Sequence, residues 1–227
     1  MASDGNGAPK FIRQDNASRV AAGEDSWDDR FTCPGAAEDA RTLLAVSDTE
    51  VYAAGTVVAG GAVAGKVVKW NGNKWSAVDN GPFSGGVLSL AVIGHDIYAG
   101  GFFPEAGGVT VNNIAKWNGI TWSSMAGGVT GGDFPVVLSL MVIGTDLYAG
   151  GEFSTAGGVV VNNIAQWNGS AWSALGTGMD AEVRTAAKIG SDLYVGGGFT
   201  TAGGVSANKI ARWNGSSWSS LGSGVNG

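Results

Sequence analysis

One short pattern returns four times along the chain: "EVYAAG" at 50, "DIYAGG" at 96, "DLYAGG" at 146 and "DLYVGG" at 192. Its tyrosines, Tyr52, Tyr98, Tyr148 and Tyr194, lie 46, 50 and 46 residues apart. A period of this length is the mark of one supersecondary unit copied in series, and each copy must bury its apolar face against a neighbour.

Each unit reads as four short strands. The first is an apolar run at 87–93, repeated at 137–143 and in a more polar form at 183–189. A Gly-x-Asp turn, Gly94 to Asp96, leads to a second strand at 97–103, where Tyr alternates with small residues. After "EAGGVTVNN" come a third strand at 114–117, an Asn-Gly turn and a fourth strand starting near Trp122. No segment sustains a 3.6-residue apolar period with helix caps, so the expected class is all-β. Four-stranded units of this length match the blades of a β-propeller. The expected organisation is a polar N-terminal segment at 1–25, then propeller repeats over 26–227 in units near 41–81, 87–128, 137–178 and 183–224.

The fragment "DSWDDRFTCPG" at 25 adds a complication. Trp27 stands 14 residues before Arg41, much as Trp75, Trp122 and Trp172 stand 12, 15 and 11 before the first strands that follow them. Trp27 therefore reads as a fourth strand without its own first three, suited to strand exchange that covers an open sheet edge. Three outcomes are open: a four-bladed monomer with an added strand, an oligomer closing a larger ring, or a piece of a longer propeller.

"WNGNKW" at 70, "WNGITW" at 117, "WNGSAW" at 167 and "WNGSSW" at 213 join the third and fourth strands. A two-residue type I′ turn would set each Trp pair diagonally, and a four-residue loop would set it directly opposed. Both place the pair on one face. The expectation is structural packing, with the second-strand glycines, such as Gly100 and Gly150, leaving room for indoles against a neighbour.

"DLYVGGGFTTAGGVSANKIARWNGSSWSSLGSG" from Asp192 resembles the repeat of bacterial surface and secreted propeller proteins. It is similar in pattern to delta-60 repeats and to kelch-like, galactose-oxidase-type propellers. The resemblance covers residues 26–227. It implies propeller architecture, an opening strand that belongs to the closing blade, and a place outside the cell or on its surface. It implies no common activity, because fold does not determine function.

Composition removes several classes. A net charge of −6 and a pI near 4.6 without a basic cluster argue against nucleic acid as a partner. No apolar run reaches the roughly 18 residues that membrane insertion by a helix requires. The single histidine, His95, sits where other units have Thr49, Thr145 or Ser191, and Cys33 is alone, so no His/Cys metal set is expected. No cofactor is expected, no Asp-x-Asp-x-Asp-Gly calcium loop occurs, and "GGAVAGK" at 60 lacks the Ser/Thr and the strand-to-helix setting of a phosphate loop. Asp96, Asp146 and Asp192 are expected to cap hairpin backbone. A catalytic carboxylate pair would need convergence among Asp28, Asp29, Glu105, Asp133, Asp180 and Glu182; solvated surface is the expected reading. Asn168 and Asn214 head formal glycosylation sequons already explained by their turns.

What differs between units is freer to serve function. "TGGDFP" at 130 enlarges one connection and carries Phe134, while Arg184 and Lys188 replace apolar residues of the last first strand. These two would meet an anion or an acidic partner in a central channel, or mark a loose edge. Asn112, Asn113, Asn162, Asn163 and Asn208 recur before the third strand and offer donors and acceptors for sugar hydroxyls. The expected function is a non-enzymatic surface, structural or assembly module, its partner itself or another protein. The alternatives are carbohydrate binding between blades and, third, a hydrolase built on loop carboxylates.

Overall fold

The computed structural model describes residues 40–55, 66–78, 81 and 83–225. No helix occurs among them, and the main strands form four antiparallel sheets of four strands, each a meander in chain order. The first sheet comprises Ala40–Ser47, Glu50–Gly55, Val67–Trp70 and Trp75–Ala77. The second comprises Gly86–Ile93, Asp96–Phe102, Ile114–Trp117 and Trp122–Ser124. The third comprises Val136–Ile143, Asp146–Glu152, Ile164–Trp167 and Trp172–Ala174. The fourth comprises Val183–Ile189, Asp192–Gly197, Ile210–Trp213 and Trp218–Ser220. The sequence repeat is thus a sheet repeat, and the all-β class holds. The first sheet belongs to a compact unit ending at Val78 and the other three to a second beginning at Asp79. Trp27, Asp28, Asp29 and Cys33 lie outside the described residues, as does the N-terminal segment.

Each of the three later sheets carries a small hairpin between its second and third strands: Glu105–Ala106 with Val109–Thr110, Thr155–Ala156 with Val159–Val160, and Thr201–Ala202 with Val205–Ser206. Its turn is Gly-Gly, with φ of 59° and 79° at Gly107 and Gly108, the two successive positive angles of a type I′ turn. The Asn-Gly loops are different. Trp70 pairs directly with Trp75, Trp117 with Trp122, Trp167 with Trp172 and Trp213 with Trp218, so four residues form each loop. Gly119 has φ of 96°, but its Asn118 is not left-handed; instead the Asn118 carboxamide oxygen accepts the N–H groups of Ile120 and Thr121 at 2.9 Å. The type I′ reading of Asn-Gly is therefore corrected to a side-chain-braced loop, and the opposed indoles lie 5.2–5.6 Å apart between ring centroids.

In the second unit the core lies between successive sheets. One cluster joins Ala91, Tyr98 and Met125 of the second repeat to Val137, Leu140, Phe153 and Trp172 of the third. Another joins Tyr148, Ile164 and Leu175 to Val183, Leu193, Phe199 and Trp218. The second strands of the second and third sheets are buried on both faces by this stacking, which is why they hold small residues. A Cβ on Gly100 would stand 2.5 Å from Val137 Cγ1, and one on Gly150 2.6 Å from Val183 Cγ1. The space is thus cleared for the valine of the next sheet rather than for an indole. Trp172 and Trp218 rest instead against Gly157 and Gly203 of the small hairpins. Their indole N–H groups donate to the carbonyls of Met125 and Leu175, each at 2.8 Å, tying one repeat to the one before it.

Candidate functional site

The recurring asparagines sit in the left-handed region, with φ of 51° and 70° at Asn112 and Asn113 and 49° and 69° at Asn162 and Asn163. Asn tolerates that region because its short carboxamide bonds to nearby backbone. Asn113 is buried; its oxygen accepts the Phe103 N–H at 3.0 Å and its amide donates to the Val129 carbonyl at 3.3 Å. Asn163 repeats this with Phe153 N–H at 3.2 Å and Met179 carbonyl at 3.0 Å. Asn112 and Asn162 donate to the carbonyls of Gly127 and Thr177 at 2.8 and 2.9 Å. In the fourth repeat Asn208 keeps the first place, its carbonyl accepting the Val225 N–H, while Lys209 occupies the second at φ 64°. These asparagines fasten the second strand of one repeat to the connection that opens the next.

An open cleft of about 340 Å³ lies beside the third sheet. Its walls include Gly132, Phe153 and Ser154, the pair Asn162 and Asn163, and three carboxylates, Glu152, Asp180 and Glu182. Of the carboxylates expected to converge, Asp180 and Glu182 meet here, whereas Glu105 and Asp133 do not line it, and Glu152 was not foreseen. Asp180 accepts the Thr200 and Thr201 N–H groups at 2.8 and 2.9 Å and the Thr200 hydroxyl at 2.6 Å. Partial desolvation pushes its pKa up, but these bonds together outweigh it and hold the carboxyl below its ordinary value. A carboxyl so held is ionised near neutrality and has no proton to give as a general acid. Glu182 is paired with Arg184 at 2.6 Å. Among the described residues no three His, Cys, Asp or Glu side chains are grouped to hold a metal ion.

The remaining expected site residues are scattered. Arg184 pairs with Glu182, and the Lys188 ammonium donates to the Val142 carbonyl of the third sheet at 2.9 Å. Phe134 is 71% exposed on its enlarged loop. His95 is an exposed turn residue. Asp96, Asp146 and Asp192 do not cap backbone as expected; they reach across to the third strand, where Asp96 pairs with Lys116 at 2.7 Å, Asp146 accepts from Gln166 at 2.7 Å and Asp192 pairs with Arg212 at 2.7 Å. Glu50 and Lys69 do the same in the first sheet at 2.9 Å. The hydrogen bond that Lys116 donates to Asp96 raises the Lys116 pKa, against the smaller opposing effect of burial. The signal for this ladder was in the sequence: every repeat with an acid before its Tyr has Lys, Gln or Arg just before its third-strand Trp.

None of the protein-family models matches the chain, and no curated protein matches it. Solved structures do. The computationally designed Ika4 protein aligns at a TM-score of 0.50 and 12% identity, over 83% of this chain and 98% of that one. At that identity the likeness concerns fold alone. The extracellular domain of BT4673 from B. thetaiotaomicron aligns at a TM-score of 0.48 and 15% identity, over 80% of this chain but 21% of its own. No helix among the described residues is long and apolar enough to cross a membrane.

Proposed function

We propose that this chain is a non-enzymatic β-propeller scaffold, its four-stranded sheets serving as blades, and that it acts as a surface, structural or assembly module with protein partners, itself included. The observation that carries the reading is the fate of the recurring polar side chains. Asn113 and Asn163, the groups that a repeated binding site would present, each join one repeat to the next through two backbone hydrogen bonds. The resemblance to bacterial surface and secreted repeats supports a location outside the cell or on its surface. Class averages by electron microscopy are expected to show rings with a central channel; open stacks would remove the propeller part of the proposal. A hydrolase substrate panel is expected to give no turnover, and turnover abolished by Asp180→Asn would overturn the non-enzymatic part.

Carbohydrate binding has one observation in its favour, the open cleft in which the Glu152 carboxylate projects among backbone-braced neighbours. Such a carboxylate accepts bonds from vicinal hydroxyls. Its test is a glycan array with wild type beside Glu152→Gln: binding lost in the variant supports a lectin, and a blank array leaves the scaffold reading.

A further inference from the structure

We propose that the outer face of the fourth sheet is a docking surface for the first sheet of a second copy of this chain, joining copies head to tail; the proposal rests on the scaffold reading above. The second unit shows the joint assembled twice. Between the second and third sheets, Val137 covers Gly100 with Leu140 beside it, and Trp172 donates to the Met125 carbonyl at 2.8 Å. Val129 sews the two together: its N–H donates to the Asn112 carbonyl at 2.9 Å while its strand pairs with Ala156. Between the third and fourth sheets, Val183 covers Gly150, Trp218 donates to Leu175, and Met179 donates to Asn162 while bridging to Ala202.

The fourth sheet carries the receiving half of the same joint. Gly196 stands opposite Thr185 as Gly150 stands opposite Ser139. The nearest atoms to a Cβ built there are Thr185 Cγ2 at 3.2 Å and the Lys209 carbonyl at 3.7 Å, both of its own repeat. Val225 donates to the Asn208 carbonyl at 3.1 Å as Val129 and Met179 do to theirs, yet it is 53% exposed where they are 0% and 3%. Half of the stitch is sewn.

The covering half is on the first sheet, with Ala40 at the register position of Val137 and Leu43 at that of Leu140. Leu43 pairs with Ala53 in the register by which Leu140 pairs with Ala149. Leu140, seated beside Gly100, is 6% exposed; Leu43 is 68% exposed. The open face therefore continues an interface already built twice in the second unit, and the element that fits it is another sheet of this repeat. Because its two halves are different surfaces of one molecule, the contact is heterologous and propagates into a ring or a filament.

Sedimentation velocity across a concentration series tests this with blocked variants. Wild type is expected to rise from the mass of one chain to that of two or more with concentration. Leu43→Glu spoils the covering half, Gly196→Val spoils the receiving half, and each alone is expected to stay monomeric; Val225→Asp provides a second receiving-half variant should Gly196→Val fold poorly. Mixed in equal amounts, Leu43→Glu and Gly196→Val each retain one good half and are expected to form a one-to-one dimer. A wild type that is monomeric throughout, or a mixture that never pairs, overturns the proposal. Cooperative unfolding followed by near-UV circular dichroism, with the hydrolase and glycan screens blank, would in that case leave the scaffold reading standing.

Discussion

The third and fourth sheets are built on one pattern but meet different surroundings. The third sheet's first strand reads "VVLSLMVI", and every residue of it is buried or half-buried. The fourth sheet's reads "VRTAAKI", and most of it is exposed. Gly150 is pressed by Val183, whereas Gly196 touches only its own repeat. Asn163 clasps two backbone groups, whereas Lys209 holds the same left-handed position without a carboxamide. Gly196 and Lys209 differ on the face that, in the third sheet, meets the following repeat. The comparison teaches that in a stacked repeat a residue's role is set as much by the next copy as by its own.

The largest test of this contrast is Trp172→Ala, which empties a buried indole site and leaves the Met125 carbonyl with the Gly128 N–H alone. It is expected to lower stability by about 3–5 kcal/mol in chemical denaturation, while Trp75→Ala, at a half-buried indole, should lose clearly less. Equal losses would break the contrast between buried and half-buried indoles. Next, Gly150→Ala forces a methyl into Val183 and is expected to lose about 1–3 kcal/mol. Gly196→Ala, measured in dilute protein, should stay within about 0.5 kcal/mol of wild type. Lys209→Asn is expected to gain about 0.5–1 kcal/mol, since Asn bears the left-handed backbone more readily; a loss would show that Lys209 has a role its position does not reveal.

The smallest expected effect is alkaline. Burial raises the Tyr98 and Tyr148 pKa values, so the folded chain holds these protons more tightly than the unfolded one. Their contribution is intact below the ordinary tyrosine value of about 10 and is lost as pH rises beyond it. Lys116, raised by Asp96, loses its contribution in the same direction as pH climbs through its folded value. Tyr98→Phe keeps the ring and is expected to flatten the fall in denaturation midpoint between about pH 8 and pH 11. An unchanged slope would mean that the phenol ionises without disturbing the sheet.

Much of the fold was legible in advance. The third strands at 114–117 and the fourth strands from Trp122 fall where the repeat placed them. The opposed faces of the Trp pairs followed from strand alternation, although the four-residue loop had to be seen. The site was far less legible. Asn112 and Asn113 looked like ligand groups because their partners, the carbonyls of Gly127 and Val129, are backbone atoms that leave no trace in residue identity. Lys188 looked free for the same reason. The Asp96–Lys116 ladder could have been read, because both of its members are side chains and vary together between repeats.

By itself the sequence determined the unit: a 46- to 50-residue period, four strands per copy, and an all-β chain with Gly where sheets crowd. Periodicity reports spacing along the chain, and strand alternation converts that spacing into faces. Only the tertiary structure decided what each face meets. Val137 reaches Gly100 and Trp172 reaches Met125 across sheets that are neighbours in space, joined through a cleared methyl's space and a carbonyl oxygen. Neither a void nor a backbone acceptor is spelled by any residue type, so the joint between repeats, and the open half of it on the fourth sheet, could be found only in three dimensions.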